Sequence, residues 1–155
     1  MFCICTAAGL RVNNIRAGRS NPGLRPQHLC GLSLVRKLCT GRLSGGCESS
    51  MEVTLRPNAL RAGSYEERTG TAGSCTLLVQ GALPCMLLAS PAHTQSTATL
   101  HGGTDVAFSP PLDFLAHVLL PTLRRMLPVQ VQVCMGELGG KFTPRSPRSL
   151  GVTDT

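Results

Sequence analysis

Ile15-Arg16-Ala17-Gly18-Arg19-Ser20-Asn21-Pro22-Gly23-Leu24-Arg25-Pro26-Gln27-His28-Leu29 is the stretch on which the fold turns. Two arginines flank a Gly-containing turn, a Pro-Gly turn follows, and a helix opens on Pro26. Proline suits that first helical turn, where its missing N–H costs nothing. Gly18 and Gly23 allow turns with positive φ. Arg16 and Arg19 carry planar donor forks that match phosphate oxygens. Gln27 and His28 sit at the helix N-terminus, where free N–H groups favour anions. The stretch therefore predicts a phosphate-holding loop between a strand and a helix.

Working outward, residues 11–15 read as the short strand that feeds the loop. Residues 26–40 read as the helix, with Leu29, Leu32, Val35, Leu38 and Cys39 at helical spacing and Gly41 as its stop. Met51 to Leu55 alternates apolar and polar, a half-buried strand ended by Pro57. Residues 58–71 read as an exposed loop. A second helix over 73–89 is apolar nearly all round, hence buried on most sides, with Pro84 as a kink. Gln80 is the strongly polar side chain within it. A buried Gln either bonds nearby backbone or meets a ligand. A strand is predicted over 97–101, closed by Gly102-Gly103-Thr104. Pro110 and Pro111 precede a third helix over 112–126, with Phe114, Val118 and Leu119 on one side and Pro121 within. Residues 129–134 alternate as a strand. From Gly136 onward, Gly, Ser, Pro, Arg and Thr predict a disordered tail over 136–155; its Thr143-Pro144 and Ser146-Pro147 are minimal phosphorylation motifs. Strands and helices alternate, which is an α/β pattern.

The chain has 155 residues, enough for one domain with a core. Its net charge of +7 is concentrated: Arg11, Arg16, Arg19, Arg25, Arg36, Lys37 and Arg42 all precede Glu48, the first acidic residue. Such an excess is either a solvated face or a seat for an anionic partner such as nucleotide or RNA. Aromatics are only 3%, which disfavours base-stacking platforms. The eight cysteines show no C-x₂-C pair and no zinc spacing, and several lie among apolar residues. They read as buried thiols of a reducing, intracellular compartment. The start of the chain lacks the pattern of a signal peptide. The uncharged run from Thr69 to Thr104 is interrupted by polar residues and prolines and is too short in its apolar part to span a bilayer.

Walker, G-x-G-x-x-G and G-x-S-x-G motifs are absent, and no acidic pair stands out as a metal seat. His28, His93, His101 and His117 are far apart in sequence. Asp113 and His117 share a helical spacing that would pair them on a surface. The residues alone support phosphate binding and supply no nucleophile and no metal ligand.

Four segments resemble the RNA 3′-terminal phosphate cyclase family: IRAGRSNPGLRPQHL at 15–29, ESSMEVTLRP at 48–57, TAGSCTLLVQGALPC at 71–85 and LHGGTDVAFSPPLDF at 100–114. The resemblance implies a large domain built from repeats of a four-stranded sheet with two helices, similar to the C-terminal domain of translation initiation factor 3, and incomplete here. It implies ATP-dependent conversion of an RNA 3′-phosphate into a 2′,3′-cyclic phosphate, through an adenylated histidine and with a divalent metal, Mg or Mn, in the full-length family. Arg16, Arg19, Gln27 and His28 fall on the motif near the phosphates of nucleotide and RNA end. Gln80 and Pro110 fall on positions that contact ATP. Residues 11–135 thus read as part of the cyclase large domain. Residues 1–10 read as an unrelated segment standing where the family has a strand and a Glu-Gly-Gly-Gly-Gln turn opening a helix. Ser49 stands where the family has Gly. No histidine here matches the nucleophile. The resemblance therefore implies a truncated, inactive cyclase with a nuclear location, RNA 3′-phosphate ends and ATP as partners, and no membrane association; a homodimer is left open. A non-catalytic binding remnant and an unstable fragment are the alternatives.

Overall fold

In the computed structural model, which describes residues 8–70, 73–89, 96–127, 130–136 and 139–145, the arginine loop joins strand β1 (Leu10–Val12) to helix α1 (Pro26–Leu38). Strands β2 (Arg42–Ser44) and β3 (Val53–Arg56) follow, and the three form an antiparallel sheet in the order β1-β3-β2. Strand β4 (Ser64–Arg68), helix α2 (Cys75–Ala89) and strand β5 (Thr97–His101) form a βαβ unit whose strands are parallel. A third helical run, α3 (112–126), leads to strands β6 (Gln130–Gly136) and β7 (Gly139–Arg145), and the second sheet runs β4-β5-β7-β6.

The two sheets are variations on one plan. The order β1-β3-β2 and its antiparallel pairings repeat in β5-β7-β6, with α1 and α3 in equivalent places in the chain. The second sheet adds β4 and α2. Among the described residues nothing pairs with the other edge of β1.

The core is built around α2. Leu78, Val79, Ala82, Leu83 and Met86 are buried against Leu34 and Leu38 of α1, Ala98 and Leu100 of β5, and Leu115 and Leu120 of α3. The apolar helix expected from the sequence is therefore central, with one correction. Its outward stripe, Leu77, Gln80, Gly81 and Leu88, is exposed, so Gln80 is a surface residue and not a buried one.

Other expectations change as well. Residues 64–68 form β4 rather than loop. Their Ser-Tyr-Glu-Glu-Arg sequence hides a sheet edge behind charges, a common protection of edges. The third helix buries Leu115 and Leu120, while Phe114 and Val118 are exposed. The cause is a π turn over Leu115–Leu119. Pro121 has no N–H and its ring crowds the preceding turn. The wider turn accommodates it, Leu120 N–H bonds to the Leu115 carbonyl, and an α segment restarts at Leu120. The insertion also shifts the alignment of Asp113 and His117, and no ion pair joins them among the described residues. Finally, β7 occupies the first half of the stretch whose composition predicts a disordered tail. Backbone pairing to β5 and β6 supplies there what composition does not. Residues 146–155, residues 1–7 and His93 lie outside the described residues.

Among the described residues, Cys39, Cys75 and Cys85 are buried, Cys30 is half-buried and Cys47 is exposed, and none of these five is disulfide-bonded. Burial raises the Cys39 thiol pKa above its ordinary value, against smaller opposing effects from nearby backbone and Arg36. Among the described residues no helix is long and apolar enough to cross a membrane.

Candidate functional site

The arginine loop is held by its own backbone. Arg16 lies at φ 53, and its Nη1 donates to the carbonyls of Asn21 at 2.6 Å and Gly23 at 3.2 Å. Gly23 takes the left-handed conformation at φ 80; Gly18 does not, and the loop's other positive-φ residues are Asn14 and Arg16. Residues 47–51 clamp the loop from outside. Leu24 N–H donates to Ser50, Ser49 N–H donates to Leu24, and Ile15 N–H donates to Met51. Ser49 itself lies at φ 62, which gives a physical reason for the glycine of the family resemblance at that position.

The loop then runs into α1 through Arg25, the N-cap residue, whose backbone is extended. Arg25 N–H donates to His28 Nδ1 at 3.0 Å, and the Arg25 carbonyl accepts from His28 N–H at 2.9 Å. Burial, followed by the charges of Arg16 and Arg25, lowers the His28 pKa below its ordinary value. A histidine with a lowered folded-state pKa adds stability that is present above its unfolded pKa and is lost as pH falls through the folded value.

Arg16, His28 and Gln80 line one groove of about 590 Å³, with Leu10 and Val12 of β1, Leu32 and Val35 of α1, and Val53 and Leu55 of β3 as apolar walls. Gln80 also borders a second hollow of about 580 Å³ whose other lining residues, Leu83, Leu87, Leu88, Phe114 and Leu123 among them, are apolar. The Gln80 amide makes no hydrogen bond among the described residues, so its donors are free.

Gln27 and Pro110 belong to a different place. Gln27 Nε2 donates to the Ser74 carbonyl at 3.1 Å, tying the start of α1 to the start of α2. Its Oε1 is buried and unpartnered, and it lies so close to Gly73 that a side chain there would collide with it. Thr76 Oγ1 donates to the Pro110 carbonyl at 2.7 Å and therefore accepts from Ser74 Oγ, 2.7 Å away. Ser74 Oγ in turn accepts the Leu77 N–H as the cap of α2. The sequence reading missed Ser74 and Thr76; a Ser two residues before a Thr at a helix start is the signal that finds them. Arg19 is exposed and lines neither hollow.

Of the seven N-terminal cations, Arg11, Arg25 and Lys37 pair with Glu52, Glu48 and Glu67. Arg19, Arg36 and Arg42 make no ion pair among the described residues. His101 is paired with Glu66 at 3.0 Å, beside Arg68 at 2.7 Å from the same oxygen. Among the described residues no three of His, Cys, Asp and Glu converge on a point that could hold a metal ion.

A family model described as RNA 3′-terminal phosphate cyclase matches residues 1–145. Curated relatives bearing that description include the protein of Nitrosospira multiformis, 46% identical over 121 residues, which is 78% of this chain and 33% of the relative. The protein of Desulfurococcus amylolyticus is 41% identical over 121 residues, 78% of this chain and 33% of the relative. That of Thermococcus sibiricus is 38% identical over 131 residues, 84% of this chain and 37% of the relative. The chain spans about a third of the length of these curated relatives.

Proposed function

Given that the chain belongs to the RNA 3′-terminal phosphate cyclase family, we propose that it is the phosphate-holding part of an enzyme that uses ATP to cyclise RNA 3′-phosphate ends. One observation carries this reading: Arg16, His28 and Gln80, drawn from a loop and two helices, line one groove with apolar walls. A few convergent polar groups in a mainly apolar hollow of several hundred Å³ is the ordinary build of a ligand site. Phosphate oxygens only accept hydrogen bonds. The groove answers with the Arg16 donors not spent on Asn21 and Gly23, the free Gln80 amide and the imidazole of His28.

ATP, when bound, supplies an activating AMP group for the terminal phosphate. Arg16 and Gln80 hold phosphate oxygens of the nucleotide and of the RNA end at this groove, and Arg19, exposed on the next turn, adds a further contact to those phosphates. Gln27 and Pro110 act from behind: they fix the start of α2, the helix that carries Gln80. The described residues form no metal cage, so no step is assigned to a metal.

We read 11–135 as part of the cyclase large domain and 1–10 as a separate segment, with the nuclear location that the resemblance implies. The run β4-α2-β5-α3-β6-β7 supports a repeat of the initiation-factor type, four strands and two helices in one sheet. The run β1-α1-β2-β3 supports a second copy of the last four elements of that plan.

The proposal is of binding without self-adenylation. His28 is engaged on a helix cap, His101 is paired with Glu66, and His117, exposed on α3, lines neither hollow. Labelled ATP is expected to bind reversibly, with no AMP adduct surviving denaturation. Changing Arg16 and Arg19 together to Ala is expected to weaken binding at least about tenfold, since each charged hydrogen bond is worth roughly 1.5–3 kcal/mol. Unchanged affinity of the double variant overturns the phosphate-holding role; a covalent AMP adduct overturns the non-catalytic one.

A further inference from the structure

We propose that His28 is a positioning residue held in one tautomer: its Nδ1 accepts the Arg25 N–H, which caps α1 and seats the arginine loop, and its Nε2–H is left as a donor at the groove. The geometry is that of a capping box reversed in chemistry. The usual residue three places into a helix is Glu or Gln, whose side-chain oxygen takes the N-cap N–H. His28 stands in that place and uses a ring nitrogen, 3.0 Å from the Arg25 nitrogen. An arginine side chain has no acceptor, so the N-cap residue cannot reciprocate with its own side chain. His28 therefore carries the side-chain half of the box alone.

The tautomer follows. A ring nitrogen that accepts a hydrogen bond bears no proton, so the neutral ring carries its proton on Nε2. The cap also reaches the arginines. Arg25 is two residues beyond Gly23, whose carbonyl receives Arg16 Nη1. Fixing Arg25 fixes where the loop joins the helix, and with it the carbonyl that orients Arg16. His28 thus acts on Arg16 through the backbone and on a ligand through Nε2–H.

This inference deepens the reading of the groove as a phosphate seat, but its cap half is measurable with no ligand present. The charges that act on the ring are Arg16 from the loop and Arg25 from the cap, the latter with Glu48 at 3.6 Å; Gln80 and Cys85 of α2 line the same groove, and the residues that β1 and β3 contribute to it are apolar. Among the described residues no acid acts on the ring, and Arg16 and Arg25 both disfavour its doubly protonated form.

Three substitutions separate the two roles. Gln restores both an acceptor for Arg25 and a donor for the groove. Glu restores the acceptor only. Ala restores neither. Nitrogen NMR of the full chain is expected to show His28 protonated at Nε2 and bare at Nδ1 near neutral pH. The Arg25 amide is expected to exchange about fivefold faster in H28A, the usual weight of a lost cap, and to stay protected in H28Q and H28E. In the wild type that protection falls as pH drops through the His28 pKa; in H28Q it is flat. With ATP as the probe, H28Q binds more tightly than H28A, and H28A more tightly than H28E. The cap ranking and the binding ranking therefore place H28E at opposite ends.

A proton on Nδ1, or equal Arg25 exchange in H28E and H28A, overturns the cap. ATP binding by H28E as tight as by H28Q overturns the donor role. Failure of the wild type to bind ATP overturns the phosphate seat and the donor role together, and the tautomer and the Arg25 exchange then judge the cap by themselves. Should H28A not fold, the tautomer of the wild type and the contrast of H28Q with H28E decide both points.

Discussion

Gly23→Ala is expected to destabilise the protein by about 2–4 kcal/mol and to abolish anion binding, because two independent penalties fall on one carbon atom. Gly23 lies at φ 80, a conformation that side chains rarely adopt. A Cβ built there would also overlap the carbonyl group of Ser49 and stand 2.8 Å from its Cα. These are backbone atoms, held by the pairings of Ser49 with Leu24 and of Leu24 with Ser50, so no side-chain rotation relieves the clash. The loop must open, and the Gly23 carbonyl that orients Arg16 moves with it. The urea midpoint and ATP affinity should fall together. Gly18→Ala is the control: its Cβ would meet open space, and it should change neither. A wild-type midpoint for Gly23→Ala would contradict the loop geometry.

Leu34→Ala is expected to cost about 2–5 kcal/mol, the range for a fully buried leucine whose space is not refilled. Leu34 has no exposed surface and sits where α1 meets α2. Stabilities of single domains are only about 5–15 kcal/mol, so the loss is a large share of the total. Thermal unfolding should begin on the order of 10 °C lower. Its effect on the groove distinguishes it from Gly23→Ala. The folded fraction of Leu34→Ala keeps the Arg16 and His28 contacts and should bind ATP normally below its melting range. A change of less than about 1 kcal/mol would mean that α1 and α2 do not share a core.

Helix α1, strand β3, strand β5 and the extent of α3 are legible in the sequence because pattern and punctuation agree there. Pro26 opens a helix and Gly41 follows it; Pro57 ends an alternating strand. What is not legible has identifiable causes. Strand β4 carries the charges of a protected edge, which read as loop. Strand β7 is made by its pairing to β5 and β6, and its Gly-Gly and Pro argue locally against it. The π turn before Pro121 rotates α3 and exchanges Phe114 and Val118 for Leu115 and Leu120, a change that no regular helical period contains.

The site divides in the same way. That Arg16 and His28 lie together follows from a loop that runs straight into the helix start; that Gln80 joins them comes from the packing of α2 on α1. That Gln80 faces outward is hidden, because an apolar sequence does not say which stripe of a helix lies uppermost. Gln27 and Pro110 carry the right residue types, but their polar groups are engaged between elements, on Ser74 and Thr76. Long-range backbone partners of this kind leave no trace in local sequence.

The central claim is that the polar end of the groove, with Arg16 at its heart, receives a phosphate. The most direct measurement compares binding of one short RNA carrying a 3′-phosphate with the same RNA carrying a 3′-hydroxyl, to the wild-type chain and to Arg16→Ala. The phosphate-ended RNA should bind the wild type at least about tenfold more tightly, the worth of one charge-assisted contact, and Arg16→Ala should erase the difference. Equal binding of both ends by the wild type, or a preference that survives the loss of Arg16, would contradict it.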